Sequence, residues 1–504
     1  MKKFKIIFTI TAFVLSVSSC KKDILKPKIY DQYSETNFLK TEADIQAAIT
    51  PFYSLFGTDW GAADVASNRY IGSFNVALGG LDWTTSKLTD QMYDVWQNPP
   101  LGMYAFGPAT FNSRDNQQVF YSRIQFIARA TKLIDLINKL EGVNQQVKNQ
   151  YLGELKCMRG WLMWILYDLY GPLNPILDPA KLADKEMQPR MTSEDYLKAT
   201  ENDLTDAIAL LPVTKYNSDA NNWGRVSKAV ASMVLLKMYV NTAKTTTDWQ
   251  KAKTLGTTLT TMGFSLLPSY KDVFINKANS EIIYAVPGNA GTYNWWFQTV
   301  IPANAISMLG VTVKPGWGGL GMNWEYYDKY QTGDKRLETI ADRYRNDAGR
   351  MVTRANGLKY AIPLKYLKYV DVSGGYDWVM FRYSDVLLYM AEIINEIDGP
   401  TSEAIGFLKQ ITDRAGVTIS TDPAIDPKLS KEKFRDYVIE ERGKELYLEN
   451  GNRRQDLIRV GKLISNAIAR GRTNAKPYHV LFPIPFNVVD ESKNIIKQNP
   501  GYEN

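Results

Sequence analysis

Between Leu152 and Leu169, apolar side chains recur at helical spacing through Leu155, Cys157, Leu162, Ile165 and Leu166, and the pattern stops at Gly171-Pro172. Apolar residues three and four apart share one face of a helix, and that face must be covered by another element. Glycine supplies a left-handed end, and proline lacks the N–H that would continue the ladder. The same grammar returns along the chain. Thr192 with Asp195 reads as a capping box that opens a helix through Leu197, Leu204, Ile208 and Leu211, closed by Pro212. Val226, Val230, Met233 and Val240 form another stripe. Further helices are expected near 41–56, 118–140, 248–262, 384–397, 402–415 and 430–449. Medium helices joined by short turns point to a mostly α scaffold of tetratricopeptide-like hairpins, although no crisp ~34-residue consensus recurs. Stretches without periodicity, at 57–116, 171–191, 263–330 and 346–380, are expected to be irregular and to rest on that scaffold. Loops of such length often carry function.

The first twenty residues have a separate logic. Lys2, Lys3 and Lys5 form a positive n-region, and Ile6 to Val17 form an apolar run too short to span a bilayer, which takes ~20 residues. Val17-Ser18-Ser19-Cys20 follows and resembles the bacterial lipobox. That resemblance implies a signal peptide at 1–19, diacylation of the Cys20 sulfur, and acylation of the new amino terminus. Two or more acyl chains anchor a protein stably where one holds it only marginally. Residues 20–40 then read as a lipidated tether and 41–504 as a single domain. With Cys20 acylated, Cys157 has no disulfide partner, and its apolar helix suggests a buried thiol.

Much chemistry is excluded by counting. The 504 residues hold one histidine, His479, and two cysteines, too few for the usual Cys/His zinc site. His479 precedes an apolar Leu-Phe-Pro run and reads as packing or surface. No G-x-S-x-G elbow, P-loop or dinucleotide fingerprint occurs, and no cofactor is expected. Without Lys2, Lys3 and Lys5 the balance is 57 basic to 53 acidic residues, with no dense basic stripe, so nucleic acid is not an expected partner.

The aromatic residues carry more information. There are 12 Trp and 30 Tyr, and many stand beside glycines away from helical spacing: Trp60-Gly61, Gly79-Gly80-Leu81-Asp82-Trp83, Tyr293-Asn294-Trp295-Trp296, Gly316-Trp317-Gly318-Gly319 and Trp324. Such rings either pin long loops to the scaffold or form a platform. An indole face can stack on the C–H face of a sugar while nearby polar groups bind its hydroxyls.

The C-terminal third holds a string of patterns: Phe381-Arg382-Tyr383-Ser384-Asp385 running to Glu392, Arg414-Ala415-Gly416, Glu441-Arg442-Gly443-Lys444-Glu445-Leu446, Asn452-Arg453-Arg454-Gln455-Asp456-Leu457-Ile458-Arg459, Leu481-Phe482-Pro483-Ile484-Pro485 and Gln498-Asn499-Pro500-Gly501-Tyr502. In this order they resemble the SusD/RagB family of outer-membrane nutrient-binding lipoproteins. In the N-terminal half, Glu154, Arg159 and Tyr170 before Gly171-Pro172 sit where that family carries a Glu, an Arg and a closing aromatic. Ala130-Thr131 departs from the family's Ala-Asn pair. Glu441 and Glu445, one helical turn apart, could serve glycoside hydrolysis or an ion network with Arg442, Arg454 and Asp456. Neighbouring arginines lower carboxylate pKa values where a general acid needs one raised, which favours the network.

The resemblance implies four helix pairs of tetratricopeptide type supporting a loop-rich ligand face at about 57–116 and 263–380. By position it assigns ligand contacts to Trp83, Trp96, Tyr293, Trp295, Trp296 and Trp317. It implies a non-catalytic lipoprotein at the outer face of the outer membrane, which binds an oligosaccharide and delivers it to a SusC-like TonB-dependent transporter. Peptide capture is the alternative that the family allows, and a surface glycosidase is a third reading.

Overall fold

The computed structural model describes residues 39–57, 81–95, 106, 120–184, 186–288, 296–369, 375–421 and 426–502, without the side chains of 82, 83, 369 and 427. Cys20, Trp96, Tyr293 and Trp295 lie outside these residues, as does the side chain of Trp83.

Ten helices frame the described chain: α1 (Glu42–Leu55), α2 (Ile124–Lys139), α3 (Gln145–Tyr170), α4 (Ser193–Leu210), α5 (Lys228–Thr242), α6 (Thr246–Thr260), α7 (Tyr383–Asp398), α8 (Ser402–Ala415), α9 (Lys431–Glu445) and α10 (Asn452–Arg459). Their ends follow local chemistry. Thr41 and Thr245 close capping boxes with Asp44 and Asp248. The Thr192 hydroxyl accepts the Asp195 N–H at 3.1 Å. Gly171 ends α3 at φ 72°, a conformation that a side chain would strain. The helix expected at 430–449 stops at Glu445, because Leu448, Asn450 and Gly451 all take left-handed φ values near +50° to +70°.

From α2 to α8 each helix packs on its successor, with α7 following α6 across the intervening sheets. This is the helical-hairpin scaffold that the periodicity predicts. Two glycines on one face of α3 set its distance from α4. A Cβ at Gly153 would lie 2.9 Å from Leu211 Cγ, and one at Gly160 would lie 2.8 Å from Leu204 Cγ. Among the described residues no helix is long and apolar enough to cross a membrane.

The stretches expected to be irregular, together with the segment between 330 and 346, contain short strands: β1 (Met92–Asp94), β2 (Ile282–Val286), β3 (Ala305–Met308), β4 (Val311–Thr312), β5 (Leu320–Met322), β6 (Ile340–Ala341), β7 (Arg343–Asn346), β8 (Met351–Thr353), β9 (Ile362–Pro363) and β10 (Trp378–Arg382). All pairing is antiparallel. β1 pairs with β5, β2 with β10 and β6 with β9, and the fourth sheet runs β4-β3-β7-β8. Strands of two to five residues give too few alternations to be read by periodicity, and β1 and β2 find their partners, β5 and β10, far along the chain. β10 runs directly into α7, so the Phe381-Arg382-Tyr383 motif is a strand-to-helix junction.

The motifs converge in space. Arg382 pairs with Glu281, Glu445 and Glu449, and Arg414 bridges Glu281 and Glu445. Arg336 reaches Asp334, Glu441 and, at 3.6 Å, Glu445. Arg442 spans Asp385 at 2.8 Å and Asp456 at 3.0 Å, and Arg459 grips both oxygens of Glu392 at 2.7 Å. Arg454 donates to Asp168 Oδ2 at 2.7 Å, tying α10 to α3. Asn499 donates to the carbonyls of Tyr170 and Phe482, joining the last motif to the end of α3. Thr131, at the departure from the family pair, accepts from Arg159 and donates to Ile176 O, both at 2.8 Å. Arg159 in turn is bidentate to Asp203.

Candidate ligand-binding face

Site geometry begins with the glycines around Trp317. The Trp317 and Gly319 N–H groups donate to the carbonyls of Gln298 and Thr299, in the short helix Trp296–Val300. A Cβ at Gly316 would come within 2.6 Å of Ile301 O and 2.7 Å of Gln298 O. Gly318 has φ +62°, and a Cβ there would lie 2.7 Å from Pro302 Cα. One at Gly321 would enter the Tyr360 ring. The loop therefore lies on the helix by its backbone. The one ring between these glycines, Trp317, stays 43% exposed. An indole face left open to solvent is available to stack on the C–H face of a ligand.

Other described segments fix this loop. The Val95 N–H donates to Gly319 O at 2.8 Å, extending the β1–β5 pairing, and the Tyr360 hydroxyl donates to Gly318 O at 2.6 Å. Tyr93 stacks on Tyr360 with ring centroids 5.7 Å apart. Asn323 donates to the carbonyls of Asp90 and Met92, and Gln91 donates to Gly443 O. Arg453 is bidentate to Asp90 at 2.7 and 2.8 Å and holds that carboxyl far below the usual carboxylate range against the cost of burial. The C-terminal motif helices thus anchor β1, and β1 anchors the Trp317 loop. Asp90 was not singled out by sequence reasoning, and Arg453 entered it only as a member of a C-terminal motif. Only their contact, across more than 350 positions, reveals the pair.

Trp296 has a different place from the one expected. It is 1% exposed, its Nε1–H donates to Pro363 O at 3.2 Å, and its ring packs on Trp378 and Tyr366 at 5.4 and 6.2 Å. It is a core ring and cannot stack on a ligand at the surface. Adjacent tryptophans in sequence need not share an environment, and burial is decided by the strand and loop packed above them. The backbone of Trp83 lies in a helical turn, Leu81–Ser86.

Neighbouring cations lower the pKa of three carboxylates on α9 and α10. Burial alone would raise Glu445, but Arg414, Arg382 and Arg336 outweigh it and hold the group at about 2. Burial would likewise raise Glu440, but Arg453 and Lys329 outweigh it and lower the group, and Arg442 and Arg459 do the same at Asp456. Burial pushes the Cys157 thiol up, away from reactivity.

His479 is buried among Phe106, Tyr478 and Tyr502, and its Nδ1 accepts the Lys476 N–H at 3.1 Å. Burial, then Lys476, lowers its pKa from 6.5 to about 4. The folded state resists the proton and the unfolded state takes it, so stability rises with pH through this window. Between pH 7 and 5 the sole histidine is the only side chain with an unperturbed pKa in range. The protein should lose about 2 kcal/mol of stability from pH 7 to 5, and His479→Phe should flatten that slope. Equal slopes in urea titrations of the two proteins would show that His479 is not the group responsible.

Comparisons with known proteins agree with this architecture. Residues 368–502 match the model of the SusD family. SusD-like protein P25 of Formosa agariphila is 22% identical over 99% of this chain and its own full length. SusD-like protein P38 of the same organism is 24% identical with full coverage of both chains. Among solved structures, a laminarin binding SusD-like protein superposes with a TM-score of 0.73 at 21% identity, covering 92% of this chain and 100% of its own. Surface glycan-binding protein A from Bacteroides thetaiotaomicron, in complex with laminarihexaose, gives a TM-score of 0.69 at 20% identity, covering 91% of this chain and 99% of its own.

Proposed function

The chain is a SusD-like protein, and on that premise we propose that it captures an oligosaccharide at the outer face of the outer membrane and delivers it to a SusC-like TonB-dependent transporter. The observation that carries this reading is Trp317, an indole held 43% exposed by a loop whose glycines are packed onto a helix. A pre-set aromatic face binds sugar C–H surfaces without first ordering a loop, which lowers the entropic cost of association. Trp83, Trp96, Tyr293 and Trp295 are the further candidate contacts, and Trp296 is not. The laminarin and laminarihexaose relatives, which share the fold, support carbohydrate as the ligand class.

Binding without chemistry is favoured by the residues themselves. Glu445 at a pKa of about 2 cannot act as a general acid near neutral pH, and His479 at about 4 is buried in a ring cluster. Delivery follows from tethering. A lipid on Cys20 and a 20–40 tether confine the protein to the membrane plane, where its effective concentration at a partner is high. Even a modest interface is then occupied. A glycan array probed with the soluble chain that begins after Cys20, run beside a peptide library, tests the ligand class: oligosaccharides should bind and peptides should not. Membrane extraction should recover a complex with a barrel protein, and deletion should impair uptake of oligomers more than of monomers. Recovery of the chain always alone, with normal uptake of every oligomer, would refute the delivery role.

A further inference from the structure

The sheet β4-β3-β7-β8 has one face in the core and one bare. On β7 Tyr344 is buried, while Arg343 and Arg345 on either side are exposed. Alternation places both arginines on the outer face, about 7 Å apart along the strand. In register, Arg345 lies opposite Met351 on β8 and Ser307 on β3, Arg343 lies opposite Thr353, and Ser307 lies opposite Thr312 on β4. Directly opposed residues share a face. The outer face therefore carries two arginines, the exposed Met351, and Ser307, Thr312 and Thr353. Arg350 is exposed in the β7–β8 turn, and Ile306 and Leu309 are exposed on and after β3.

The charge around this face is not balanced. Arg343 is bidentate to its neighbour Asp342, and Arg354, just past β8, pairs with Asp328. Asp347 in the turn is the remaining acid of the β7–β8 hairpin. Arg345 donates to Gly349 O at 2.8 Å, and neither it nor Arg350 forms an ion pair with a described residue. Lys314, also exposed, follows β4 by two residues. Guanidinium groups present forked donors that match carboxylate or sulfate oxygens, and the hydroxyl residues beside them suit sugar hydroxyls. Thr312 is five residues from Trp317, so their Cα atoms lie within about 18 Å.

We infer that the outer face of the β4-β3-β7-β8 sheet, with Arg345 and Arg350, is a subsite for the acidic groups of a sulfated or carboxylated glycan whose chain also meets the Trp317 loop. The inference rests on the capture reading and narrows its substrate class to anionic glycans. Dextran sulfate and unmodified dextran are suitable probes, because they share a backbone and differ in charge. Wild-type protein should bind dextran sulfate at least tenfold more tightly than dextran. Arg345→Gln/Arg350→Gln should lose at least tenfold on dextran sulfate and show a shallower salt dependence. A charge-matched control, Lys139→Gln/Lys409→Gln, alters two exposed helical lysines and should change affinity less than twofold. Equal binding of dextran and dextran sulfate, equal losses in the two double variants, or no loss in the arginine variant would each overturn the inference. An array glycan that still binds the arginine variant but not Trp317→Ala would do the same, while leaving the capture reading standing.

Discussion

Glu445→Ala is expected to lower unfolding stability by about 3–5 kcal/mol, the range for removing one partner from a buried ion pair. Glu445 is fully buried and lies against Arg382, Arg414 and Arg336, whose side chains are at most 4% exposed. Deleting the carboxylate leaves three guanidinium groups around an apolar gap, with Glu281, Asp334, Glu441 and Glu449 as the acids still in place. The pH dependence has a fixed sign. The folded pKa of about 2 lies below the ordinary 4.5, so the stabilisation is present above about pH 4.5 and is lost as pH falls towards 2. Chemical denaturation at pH 7 should show the lowered midpoint, and the difference between variant and wild type should shrink in acid. An unchanged midpoint together with lost glycan cleavage would instead revive the glycosidase reading.

Trp296→Ala should be nearly as damaging, at about 3–5 kcal/mol, as for other large aromatic-to-alanine changes in a core. The variant empties the space beside the stacked Trp378 and Tyr366 rings and leaves the Pro363 carbonyl without its indole donor. Trp317→Ala should leave the unfolding midpoint almost unmoved, because that ring is partly solvated and the loop is fixed by its backbone. The contrast between two tryptophans 21 positions apart is checked by parallel denaturant titrations. A midpoint for Trp296→Ala equal to that of wild type would contradict its placement in the core.

These two residues also mark where sequence reasoning runs out. The helices were legible because their signals are local. Thr192 caps α4, Gly171 ends α3, and the apolar residues from Leu152 to Leu169 are buried in α3, which is enclosed on nearly every face. The C-terminal motifs could be recognised as a set, yet the reason for the set is three-dimensional: Arg382, Arg414, Glu445, Arg442 and Asp456 meet only after four separate elements, β10, α8, α9 and α10, pack together. The strands were missed because β2 and β10 each have five residues and pair across almost a hundred positions. Gly316-Trp317-Gly318 and Trp295-Trp296 look alike on paper. What separates them is the carbonyl row of Phe297, Gln298 and Ile301, which admits no Cβ at 316 and so pins the loop by its backbone beside Trp317. For Trp83, Trp96, Tyr293 and Trp295 the sequence remains the ground for their candidacy.

The central claim is that Trp317 is presented for a sugar. Its most direct measurement is calorimetric titration of an array-identified oligosaccharide into wild-type and Trp317→Ala proteins with matching melting temperatures. Loss of a stacking ring should cost about 1–3 kcal/mol, which is roughly 5- to 150-fold in Kd. Equal affinity in the two proteins would contradict the account.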